Sequence, residues 1–92
     1  MTAETRPIVA SGKPYPITAP PAGGPSLESF LGDAEFTLES SGGPLAIQGH
    51  GVRLDDDVVR FHEKDAVGGK DVRVWHVSPR DGGFVAESIA AF

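Results

Sequence analysis

Three histidines, His50, His62 and His76, are the residues best suited to chemistry, because imidazoles can together hold Zn²⁺ or Cu²⁺. A metal there would need them to converge. In the hairpin read below, His62 faces Val74 and His76 faces Arg60, so the two imidazoles are only diagonal neighbours beside a guanidinium that repels a cation. We expect no metal site and no cofactor. The run Asp55-Asp56-Asp57 lacks the spaced oxygens, internal glycine and bidentate glutamate of a calcium loop, and reads as a solvated turn. Gly42-Gly43 and Gly68-Gly69 are turn glycines, since no GK[ST] follows either pair. Ser78 and Ser88 could serve as nucleophiles beside His76, but no nucleophile elbow accompanies them. Trp75, flanked by Arg73 and His76, could stack on a base or sugar, yet its register points it into the core. The residues therefore give no catalytic constellation, and an enzyme is not expected.

The element that positions most of these residues is the stretch Asp57 to Ser78, which reads as a β-hairpin. Two runs alternating valine, aromatic and charged residues flank Ala66-Val67-Gly68-Gly69-Lys70, whose glycines can take positive φ and reverse the chain. Aligning Val59 with Val77, Phe61 with Trp75 and Glu63 with Arg73 puts two apolar pairs and an ion pair on one face, which should be core. The opposite face carries Val58, Arg60 and His62 against Val72, Val74 and His76. That face is too apolar for plain solvent exposure and is expected to contact a partner.

Around the hairpin, residues 1–25 form a proline-rich stretch, and proline both fixes φ and removes a backbone donor. This reads as an extended arm, separate from a β domain over residues 26–92. The arm holds Ile8, Val9, Tyr15 and Ile17, apolar residues that a purely solvating tail does not need, so the arm is expected to dock on another chain. Deleting it should leave the β domain folded and abolish assembly. Ser26 then caps Leu27-Glu28-Ser29-Phe30-Leu31, a short helical turn ended by Gly32 that should plug one end of the sheet. Ala34 to Ser40 alternates as a one-sided strand, and a turn at Ser41-Gly42-Gly43-Pro44 leads into a second strand interrupted by Gly49-His50-Gly51, the mark of a bulge or bend. Ser78 to Gly83 reads as a turn, and Phe84 to Phe92 as a last strand that could equally form a short helix. The short connections predict an all-β fold, a small antiparallel meander of five strands, barrel-like or half-open, behind the arm and one helical turn.

Composition bounds the function. A 92-residue chain buries a modest core, and without cysteine it has no disulfide or thiolate metal site to reinforce it. A net charge of −5, with scattered basic residues, argues against nucleic-acid binding. No apolar run approaches the ~20 residues of a membrane span, and the N-terminal residues lack a secretory pattern. The expected setting is the cytoplasm or a virion, without membrane contact. The function that fits is a non-enzymatic structural or interaction protein that assembles with copies of itself or another subunit, such as a phage capsid decoration or head-tail joining protein. The alternatives are a small β-barrel for a compact apolar ligand and an acidic inhibitor or immunity-type protein that masks a basic partner.

Overall fold

A computed structural model describes residues 9–21 and 26–91. The chain is all-β: β1 (Pro14–Ala19), a 3-10 turn (Leu27–Phe30), β2 (Gly32–Ser40), β3 (Gly43–Asp55), β4 (Val58–Lys64), β5 (Asp71–Arg80) and β6 (Gly83–Ala91). The strands pair in sequence order, each antiparallel to its neighbour, and β1 pairs with both β2 and β6 to close a barrel. Closure leaves no long open edge.

The sequence reading expects five strands; the structure has six, and the extra one lies inside the proline-rich stretch. Pro14 and Pro16 disguise it, because each removes a ladder donor, yet both are exposed while Tyr15 between them points inward. Ile17 follows on the same side and packs against the core. The boundary drawn after residue 25 therefore falls between a barrel strand and the sheet it completes.

The central hairpin follows its local pattern, whereas Ser78–Arg80, expected in a turn, extends β5, and Ser26 makes no side-chain cap. Val59 pairs with Val77, Phe61 with Trp75 and Glu63 with Arg73, as the alternation requires. Phe84 to Ala91 is strand, entered through the turn Asp81-Gly82, whose positive φ values of 51° and 79° match the right-handed twist of a hairpin. The sequence reading expects a bulge or bend at Gly49-His50-Gly51, but β3 pairs with β2 and β4 through these positions without a register shift, and the two glycines have a steric cause. A Cβ on Gly49 would lie 1.9 Å from the His62 carbonyl oxygen, and one on Gly51 would lie 1.9 Å from that of Phe30. Only glycine lets β3 cross so close to two other backbones.

The interior is filled with side chains. Trp75, Phe30, Phe36, Phe61, Leu38, Ile47, Val59 and Val77 are fully buried. Phe84, Phe30, Phe36 and Phe61 form a chain of edge-to-face contacts with centroids 5.1, 5.3 and 5.0 Å apart. Phe30 arrives from the 3-10 turn and plugs the end where β4 begins and β5 finishes. Toward the other end lie the buried polar residues Ser40, Glu63 and Ser88. Glu63 accepts a hydrogen bond from Trp75 Nε1 at 3.0 Å and faces Arg73 Nε at 3.8 Å. The Arg73 guanidinium lies over the Trp75 ring, 5.5 Å from its centroid.

Candidate functional site

Strand alternation sends every second side chain of β3, β4 and β5 outward, and the ladder aligns these residues in rows across the barrel wall. One row runs Asp33, His50, His62, Val74; the next runs Val52, Arg60, His76, Glu87, Pro14. Lys64 and Asp71 extend the face toward the β4–β5 loop. All three histidines thus share one outer surface, as direct neighbours for His50 and His62 and as a diagonal for His62 and His76.

Each imidazole already has a polar neighbour. His50 Nδ1 lies 3.2 Å from Asp33 Oδ1, and His62 Nδ1 lies 3.6 Å from Asp71 Oδ2. Asp71 also accepts from the Lys64 ammonium, and this hydrogen bond, more than the nearby charges of Lys64 and His62, holds its carboxyl below the usual carboxylate range. Arg60 Nε donates to His76 Nε2 at 3.5 Å. Burial, and then the Arg60 charge, push His76 below the ordinary histidine value, while Glu87 opposes them. An imidazole that accepts from a guanidinium has its lone pair occupied. Among the described residues, no group of three or more His, Asp or Glu side chains converges to hold a metal ion.

The residues expected to meet a partner separate into two sets. Val58, Arg60, His62, Val72 and His76 lie together on the outer face, partly exposed. Val74 shares the face but is only 7% exposed, so it belongs to the packed wall and offers a partner almost no area. The arm residues do not join them. Tyr15 is 4% exposed and meets Trp75 edge to face at 6.4 Å, Ile17 packs on the same core, and Val9 covers it from outside. These residues have apolar cover within their own barrel. Ile8 lies outside the described residues.

Trp75, considered as a stacking platform, is fully buried. The sequence reading missed Asp33, Asp71 and Glu87 as partners of the histidines. Only the ladder register brings Asp33 and Glu87 beside them from distant strands, whereas Asp71 was within reach of a hairpin argument that included the strand's first residue. Beside the face, Asp33, Glu35, Gln48, His50 and Lys64 edge an open depression of about 440 Å³. It is too shallow to enclose a ligand as small-molecule pockets do. Among the described residues Val52, Leu54, Val67 and Ile89 are exposed large hydrophobics, and Val52 adjoins Arg60 directly.

Comparison with protein-family models, curated proteins and solved structures gives no match.

Proposed function

We propose that the protein is a non-enzymatic interaction subunit that joins copies of itself through the outer face of β3, β4 and β5. The observation that carries this reading is a surface with Val52, Val58 and Val72 around Arg60 and His76, borne on a closed barrel whose side chains are held in register. Apolar area beside a guanidinium is the composition of protein contact surfaces, where arginine is enriched over lysine. A capsid decoration or head-tail joining protein of a phage is the setting such a small, rigid subunit suits. The ligand-barrel alternative has less support, because the barrel interior is occupied by Trp75 and the phenylalanines. A compact ligand would have to use the open depression instead.

The test is the mass in solution. The wild-type chain should sediment above its monomer mass of 9.6 kDa at high concentration. The double substitution Val52→Glu with Arg60→Glu should remove the share of that association that runs through the outer face, lowering the mass reached at high concentration with little change in melting temperature, because outward-facing substitutions usually cost within about 0.5 kcal/mol each. An association unaffected by both changes would remove this face from consideration.

A further inference from the structure

We propose that β1 is an exchangeable strand: in the assembled protein it fills the gap between β2 and β6 of a second copy of this chain. This inference goes beyond the outer-face reading and does not depend on it.

Strands β2 to β6 form an uninterrupted meander, each joined to the next by a short connection. β1 is attached differently. Between Ala19 and Gly32 the chain passes through Pro20-Pro21-Ala22-Gly23-Gly24-Pro25 and the 3-10 turn. At twelve residues, 20–31, it is longer than the two to six residues of every connection between β2 and β6.

The ladder holding β1 is also thin. It meets β2 only at Ile17↔Leu38 and Ala19↔Thr37, across an irregularity, whereas β2 and β3 pair without a break from Gly32↔Gly51 to Ser40↔Gly43. Against β6 it aligns at Pro14↔Glu87, Tyr15↔Ala86 and Pro16↔Val85, where both prolines lack the N–H that would strengthen the ladder. Buried Tyr15 and a few bonds before the strand supplement this short ladder. Tyr15 fills a space beside Trp75, its hydroxyl accepts from the Ala10 N–H at 2.8 Å, and Gly12 N donates to Ser88 O at 2.7 Å.

These features identify the occupant. The space between β2 and β6 is shaped for an inward tyrosine between two outward prolines, with an isoleucine two places on. The segment known to fit it is residues 9–21 of an identical chain. Reciprocal exchange would preserve every contact β1 now makes, so it costs little beyond freeing the connection, and it closes as a two-fold dimer.

The chain's single tyrosine and single tryptophan, which meet across this boundary, make exchange measurable. Trp75→Phe leaves a chain with tyrosine alone, and Tyr15→Phe leaves one with tryptophan alone. The two are mixed in urea, refolded together at high concentration and separated by size. Exchange predicts tyrosine-sensitised tryptophan emission in the dimer fraction and none in the monomer fraction. A dimer without sensitised emission, or no dimer at any concentration, overturns the proposal.

A second measurement guards against variants that fold poorly. Because the chain has no cysteine, Pro16→Cys with Val85→Cys in an otherwise unchanged protein provides a unique cross-link across a paired position. Oxidation of the dimer fraction should give a covalent dimer on a denaturing gel; links confined within single chains would contradict exchange. Val52→Glu with Arg60→Glu, run in parallel, should leave both signals unchanged, which separates failure of this proposal from failure of the outer-face reading.

Discussion

β1 and the β4–β5 hairpin each supply an aromatic residue to the same point in the core, Tyr15 and Trp75, but they hold it in different ways. Trp75 lies in a hairpin whose strands pair residue for residue from Val59↔Val77 to Glu63↔Arg73. Tyr15 lies in a short strand flanked by prolines and joined to the rest by a long connection. Exposure is nearly equal, at 4% and 0%. Attachment is not. The difference teaches that a residue's place in the core does not fix how firmly its strand is held, because loop closure and ladder bonds contribute separately from packing.

The largest effects should come from the firmly held region. Trp75→Ala should cost about 3–5 kcal/mol, a large share of the roughly 5–14 kcal/mol that a chain of this size has in total. Gly49→Ala should be comparably severe, since the new Cβ would meet the His62 backbone rather than a side chain that can move. Urea unfolding measures both, and a near-wild-type midpoint for either would break the account of this region. Tyr15→Ala should cost about 3 kcal/mol by the same cavity logic. It should also speed hydrogen exchange in β1 far more than in β4 and β5; uniform loss of protection would show that β1 is not separately held.

Next in size is Glu63, which ties the hairpin's polar end through Trp75 Nε1 and Arg73. Glu63→Gln should cost about 2–3 kcal/mol, because a charge-assisted bond is lost and the largely covered Arg73 keeps its charge. Replacing both by apolar residues, Glu63→Leu with Arg73→Met, should recover the share of the loss due to the unpaired Arg73 charge but not the share due to Trp75 Nε1, which then has no acceptor. A double variant no better than the single would show that the ion pair is not the reason.

The smallest effect is on the outer face. His76 has a folded-state pKa below the ordinary 6.5, so the unfolded chain takes up the proton more readily. Stability should therefore decline as pH falls through about 6.5 toward the lowered folded value, and His76→Gln should flatten that decline. Asp71 and Glu28, lowered by hydrogen bonds from Lys64 and Arg53, act at more acid pH: their contribution is present above the ordinary carboxylate values of 3.8 and 4.5 and is lost as pH falls through their lowered folded values. Thermal melts between about pH 2 and about pH 8 would separate the two ranges.

How much of this was legible in the sequence follows the same division. Strict alternation in Val58–Lys64, matched by the apolar residues Trp75 and Val77 opposite, determines which residues face inward, so the hairpin register and the inward Trp75 could be read directly. That Gly49 and Gly51 are special was legible, but their role is close backbone approach within an unbroken strand rather than the expected bulge or bend. β1 was not. Pro14 and Pro16 carry the composition of a linker, and the closure of a barrel between the first and last strands is a long-range fact that no local pattern states. The histidine neighbours were hidden for a related reason, since Asp33 and Glu87 reach them only through the pairing of distant strands.

The central claim, that β1 is a structural strand of the barrel rather than an arm outside it, is tested most directly by removing residues 1–21 and melting what remains. The sequence reading expected such a truncation to leave a folded domain. With Tyr15 and Ile17 in the core, the structure predicts a lowered, broadened transition, loss of the near-ultraviolet signal of Trp75, and recovery of both on adding a synthetic peptide of residues 9–21. A truncated chain that melts as sharply and at the same temperature as the full protein would contradict it.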